Sequence, residues 1–127
     1  MREQLEKLLN NSYSPYSKFK VSAIVIMKDG NTFSGVNVEN ASYGATICAE
    51  KSAIASAITN GYKKHDFEKL YIMVDRDKVS TCCFLCRQLL HEFFEEDKEI
   101  IMMSKKDELR LKVKDLCPYS FGEEDLK

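Results

Sequence analysis

The chain has no surplus of charge of either sign. Its 127 residues carry 19 Lys and Arg against 20 Asp and Glu, a net charge of −1, and the lysines are scattered along it. The broad basic surface with which a nucleic-acid binder meets phosphates is therefore missing, and a small-molecule substrate is expected instead. A long apolar run is absent too: nothing approaches the ~20 residues of a membrane span. Met1-Arg-Glu-Gln-Leu-Glu-Lys-Leu-Leu mixes charge with leucine rather than forming the apolar core of a signal peptide. The expectation is a cytoplasmic protein with no membrane partner. There is no internal repeat and no low-complexity segment, and only two histidines, His65 and His91, neither claimed by a motif. With 44% hydrophobic residues, a chain of this length suits one domain, 1–127, around one sizeable core.

Cysteine is present in an informative pattern. Cys48, Cys82, Cys83, Cys86 and Cys117 are odd in number, and in a reducing compartment they read as metal ligands or free thiols rather than disulfides. Two stretches matter most: Thr46-Ile-Cys48-Ala-Glu50-Lys51 and Cys82-Cys83-Phe84-Leu85-Cys86-Arg87-Gln88. Thiolates hold a soft divalent ion and a nearby glutamate can move protons, so a catalytic zinc site is the first reading. Cys83 and Cys86, three apart at a helix start, can point to one place, and helix N-termini put partial positive charge beside thiolates. Glu50 and Cys48, two apart, would diverge in mid-helix; only in a first turn could both reach one water. Spacing also permits a Cys82/Cys86 pair, a redox dithiol, or a structural zinc closed by Cys82 or Cys117.

Hydrophobic periodicity supplies the frame. Leu5, Leu8 and Leu9 share one face of an amphipathic helix ending near Asn10-Asn11. Phe19 to Met27 reads as a strand with a doubly buried second half, and Asp29-Gly30 turns it into Thr32 to Glu39 as a hairpin. Asn40 to Thr46 is a polar loop with Thr46 as candidate N-cap, and the next helix, carrying Cys48, presents Ala49, Ala53 and Ala57 for close packing. Leu70–Val74 and Ile100–Met103 are central strands, expected parallel, around a helix from about Cys83 to Phe94 with Leu89, Leu90, Phe93 and Phe94 inward. Leu109, Leu111 and Val113 form an edge strand guarded by cations. The expected fold class is α/β: a three-layer α/β/α arrangement with a mixed sheet of about five strands and an N-terminal hairpin.

Cys48-Ala-Glu50 followed by Cys83-x-x-Cys86-Arg87-Gln88 resembles the zinc-dependent cytidine deaminases of the short, homotetrameric type. Tyr16-Ser-Lys-Phe19-Lys-Val21-x-Ala23, Asn37-Val-Glu39-Asn40-Ala-Ser-Tyr43-Gly44 and Leu116-x-Pro118-x-x-Phe121 are similar to that family's segments in the same order, over nearly the whole chain. The resemblance implies hydrolytic deamination of cytidine and deoxycytidine in pyrimidine salvage. One zinc per subunit would be held by Cys48, Cys83 and Cys86, with Glu50 as proton shuttle. It implies that Asn37 and Glu39 hold the ribose, that Phe19 stacks on the pyrimidine, and that Tyr43 and Ala49 also contact substrate. Phe121 would approach a neighbouring subunit's site in a homotetramer. Lys51 stands where relatives carry an arginine that offsets thiolate charge, and lysine is a point donor without the planar fork. Cys82 and Phe84 replace the usual proline and glycine. Two rival functions share the metal site: deamination of a related aminopyrimidine nucleoside such as an antibiotic, and a zinc-bound non-catalytic module.

Overall fold

The computed structural model describes residues 1–127. Helix α1 (Arg2–Leu9) leads to strands β1 (Val21–Met27) and β2 (Thr32–Val36). Helix α2 (Ala49–Thr59), strand β3 (Phe67–Val74), helix α3 (Phe84–Phe93), strands β4 (Glu99–Met103) and β5 (Glu108–Lys112) and a short helix α4 (Val113–Leu116) follow. The five strands form one mixed sheet in the order β2-β1-β3-β4-β5. The expected α/β class with a five-stranded mixed sheet and an N-terminal hairpin is what the chain adopts.

One expectation is met and two need correction. β3 and β4 do run parallel, but β3 also pairs antiparallel with β1, because the chain enters β3 at the end where β1 finishes. Val113 does not extend β5; it is buried as the first residue of α4, where Asp115 closes the turn by accepting the Lys112 amide at 3.0 Å. Thr46 does not cap α2. Cys48 is the N-cap, and a short 3₁₀ turn at Tyr43–Ala45 absorbs the loop before it.

Alternation along the strands divides the core. Ala23, Val25, Leu70, Ile72, Ile100 and Met102 face α2 and α3 in an 18-residue cluster. Ile24, Met73, Ile101 and Met103 point the other way, onto Leu5 and Leu9 of α1. The larger face draws its stability from apolar surface removed from water. On it, Ala49, Ala53 and Ala57 are fully buried, as the four-residue spacing predicted. Close approach is also required of β2: a Cβ at Gly35 would lie 2.6 Å from both the Ala49 carbonyl oxygen and the Ala53 nitrogen. Only a hydrogen lets α2 settle there. Both segments leading to the site converge on one edge of the sheet, where Val21, at the start of β1, pairs with Val74, at the end of β3.

Candidate active site

Each cysteine of the motif sits at the start of a helix. Cys48 caps α2, Cys83 caps α3, and Cys86 lies in the first turn of α3, so unpaired amides and the positive ends of two helix dipoles collect around sulfur. Cys48 Sγ and Cys86 Sγ lie 2.6 Å apart. With one carboxylate oxygen of Glu50 they form a group whose donor atoms all fall within 4.8 Å of one another. The sulfur–sulfur contact lowers the Cys48 pKa, with the Lys51 amide adding to the effect; that same contact, and then burial, push Cys86 up.

Glu50 is only 6% exposed. Burial raises its pKa, and its own backbone amide and the thiols of Cys86 and Cys82 oppose that shift without cancelling it. A carboxyl that holds a proton more readily than usual suits a group that must take one and return it. Burial likewise pushes the Cys82 thiol up, with the charge of Glu50 adding to it.

A cleft of about 240 Å³ opens above this carboxyl and brings together Phe19, Asn37, Glu39, Cys48, Ala49, Glu50 and Cys83. Asn37, 8% exposed, is fixed by its surroundings. Its Oδ1 accepts the Val21 amide at 3.0 Å and the Ser12 hydroxyl, and its Nδ2 donates to the Phe19 carbonyl at 2.7 Å. One N–H of that amide remains for a ligand. Glu39 accepts the amides of Tyr16 and Ser17 at 3.0 and 3.1 Å and the Ser17 hydroxyl, which holds its carboxyl below the usual range. A carboxylate has about four acceptor positions, so one is left open. One free donor and one free acceptor side by side match a sugar hydroxyl, which both gives and takes a hydrogen bond.

A second cavity, about 570 Å³, lies on the other side of the same sulfurs. Tyr43, Lys51, Leu85, Cys86, Leu89 and Phe93 border it, with Cys48 and Cys83 common to both cavities. Tyr43 is therefore outside the cleft, 85% exposed. Phe121 is outside it as well, 55% exposed in a recess with Phe84, Arg87 and His91, its carbonyl accepting from Gln88 Nε2 at 2.8 Å. Cys83 is exposed on the rim while Cys82 is buried.

The spacing argument missed several supporting residues. Ser12 and Ser17 orient Asn37 and Glu39. Arg87 clamps the loop before α3 to the C-terminal segment through the Cys82 carbonyl at 2.8 Å, Thr81 Oγ1 at 3.1 Å and the Leu116 carbonyl at 3.3 Å. Arg76 lies over the Phe19 ring. The serine-rich loop and the Cys-Arg pair were visible signals for the first two; nothing in the pattern marked Arg76. The donor set fits zinc, since several thiols and a carboxyl gather where helix ends favour the deprotonated form of sulfur.

Comparison with known proteins agrees with this geometry. The family described as "Cytidine and deoxycytidylate deaminase zinc-binding region" matches residues 1–104. The chain belongs to that family. Among relatives, a cytidine deaminase of Mycoplasma genitalium is 43% identical over 91 residues, covering 72% of this chain and 68% of its own length. A cytidine deaminase of Halalkalibacterium halodurans is 34% identical, covering 91% of this chain and 86% of its own. The crystal structure of cytidine deaminase from Burkholderia pseudomallei superposes with a TM-score of 0.89 at 34% identity, covering 94% of each chain. A blasticidin-S deaminase of Bacillus cereus is 30% identical over 113 residues, covering 83% of this chain and 79% of its own. The matched region thus includes the thiol cluster at the starts of α2 and α3.

Proposed function

We propose that this protein is a zinc-dependent hydrolase that converts cytidine and deoxycytidine, with water, to uridine and deoxyuridine plus ammonia. The observation that carries the reading is the buried Glu50 carboxyl beside the Cys48 and Cys86 sulfurs, at the floor of a cleft that also holds Asn37 and Glu39. Cys48, Cys83 and Cys86 would be the ligands in this proposal; the sulfurs of Cys48 and Cys86 already lie together with the Glu50 carboxyl, and Cys83 borders the same cleft. Zinc, when bound, supplies a Lewis acid that makes water nucleophilic near neutral pH. Glu50 takes one proton from the attacking water and gives it to N3 of the ring, then takes the remaining proton from the new C4 hydroxyl and passes it to the amine, which leaves as ammonia as the C4–N bond breaks and the C4 carbonyl forms. A shuttle of this kind contributes about 10² to 10⁴ in rate.

Orientation falls to the other cleft residues. Asn37 donates to, and Glu39 accepts from, ribose hydroxyls; Phe19 stacks on the pyrimidine, and Ala49 leaves room for it. Lys51, beside Cys48 on the exposed side of α2, offsets thiolate charge as a single point charge. The full assembly is a homotetramer, with residues 1–127 as one catalytic domain per subunit and Tyr43 and Phe121 serving the sites of neighbours. The setting is cytoplasmic pyrimidine salvage. Exposed apolar side chains such as Tyr43 and Leu85 around the larger cavity support the assembly.

The test is loss of cytidine absorbance together with metal analysis of the same sample. The proposal expects turnover and one zinc per chain. Turnover of a nucleoside antibiotic with none of cytidine would move the substrate to the blasticidin-type relatives. Bound zinc without ammonia release would make the protein a non-catalytic module.

A further inference from the structure

We infer that Arg76 is a positioning residue for Phe19, holding the ring from its outer face so that the inner face is presented to the base. The inference rests on the proposal that Phe19 is the pyrimidine platform. The Arg76 guanidinium carbon lies 4.9 Å from the centroid of the Phe19 ring. Arg76 is itself exposed and forms no part of the cleft wall, whereas Phe19 does. Phe19 thus borders the cleft, and the cation over its ring belongs to a residue outside it. A cation over one face of a phenyl ring is attracted by the ring quadrupole, which favours the orientation that keeps that face outward.

The guanidinium is held in place. Its Nη1 donates to Asp75 Oδ1 at 2.8 Å and its Nη2 to the Lys18 carbonyl at 3.3 Å, while its own carbonyl accepts the Lys105 amide at 2.8 Å. Asp75 reaches the other neighbour of Phe19: its Oδ1 accepts the Lys20 amide at 3.1 Å, and its amide donates to the Lys20 carbonyl at 3.2 Å. Both flanking residues of Phe19 are thus tied to the Asp75–Arg76 pair. Lys18 adopts φ +61°, a left-handed turn that directs its carbonyl to Arg76. From the cleft side, Asn37 Nδ2 holds the Phe19 carbonyl at 2.7 Å. Platform and ribose contact are consequently coupled through one backbone position, and Arg76 supplies the ring's outer support.

The experiment compares the zinc-loaded enzyme with Arg76→Ala, Arg76→Lys, Phe19→Leu and the Phe19→Leu/Arg76→Ala double variant. Arg76→Ala should raise KM for cytidine about two- to five-fold, the ratio equivalent to an exposed cation–π contact, with kcat nearly unchanged. Arg76→Lys should recover part of the loss. In the Phe19→Leu background the same alanine substitution should change nothing further. An equal rise in KM in both backgrounds, or no rise with Phe19 present, overturns the inference. Aromatic NMR of Phe19 provides a readout that needs no turnover: Arg76→Ala should change its ring shifts and speed its ring flipping, at an unaltered thermal midpoint. Unchanged Phe19 signals overturn the inference even if the wild type proves inactive on cytidine, an outcome that would count separately against the proposed function.

Discussion

Cys48 and Cys83 border two cavities that differ in size and in how their polar groups are held. On one side, the cleft of about 240 Å³ sets two polar groups, Asn37 and Glu39, among mostly apolar residues; both are fixed by bonds to the loop Ser12–Phe19, and each keeps one hydrogen-bonding position free. On the other, the groove of about 570 Å³ is bordered by apolar side chains, among them Tyr43 and Leu85, each 85% exposed. A few directional groups in a confined space select a small polar molecule; a wide apolar border is the kind of surface another chain covers. The same sulfurs therefore border a confined cleft with fixed polar groups on one side and a wide, largely apolar groove on the other.

The largest test of that division falls on the cleft. Glu50→Gln should lower kcat by about 10² to 10⁴ while the zinc content stays that of the wild type; near-normal turnover would refute the shuttle. Metal retention comes next. Cys83→Ser should weaken zinc by more than the roughly 10- to 100-fold typical of losing an outer-sphere partner, whereas Cys82→Ser should keep the ion; plasma emission of the two purified variants decides, and the reverse pattern would transfer the ligand role to Cys82. On the groove side, Leu85→Glu places a charge on the apolar border and should shift the mass seen by light scattering to smaller species; an unchanged mass would remove the groove from the assembly. Back in the cleft, Asn37→Ala should raise KM for cytidine about 2- to 10-fold, the worth of one neutral hydrogen bond, beyond any effect on the thermal midpoint.

The smallest effect concerns Glu39. Its folded-state pKa lies below the ordinary 4.5, so in that window the unfolded chain binds more protons and the stabilisation from its ionised form is complete above about pH 4.5. That contribution is lost as pH falls through the folded value. Thermal midpoints of the wild type and Glu39→Gln should therefore converge in acid and separate toward neutrality; parallel curves would mean that the Ser17 contact contributes nothing.

Much of this layout was legible in residue patterns because it depends on periodicity and fixed spacing. Alternating apolar residues located the strands, and alanines four apart identified the helix face that meets the sheet. Two residues between cysteines placed both at one helix start. What the pattern could not carry was distance between remote segments. That β1 lies antiparallel to β3 decides which loop ends meet, and this depends on how two separated stretches pair across the sheet. Val113 looked like one more alternating apolar residue until Asp115 turned the backbone. Tyr43 and Phe121 lie in segments similar to the family's, yet within one chain they stand outside the cleft, a placement that motif order alone does not give. Cys82 and Cys83 were separable only by family register; burial puts Cys82 inside and Cys83 at the rim.

Gly35 ties the helix that carries Glu50 to an edge strand of the sheet. β2 is an edge, where sequence drift ordinarily costs little, and its neighbour Ser34 is exposed. Position 35 nevertheless touches the backbone of α2 within a residue of Cys48 and Glu50. In a saturation library this strand should show a single intolerant column between permissive ones. Descendants of this chain can repaint the edge freely, but they can exchange that glycine only by rebuilding the start of α2 in the same step, so at this point scaffold and chemistry must evolve together.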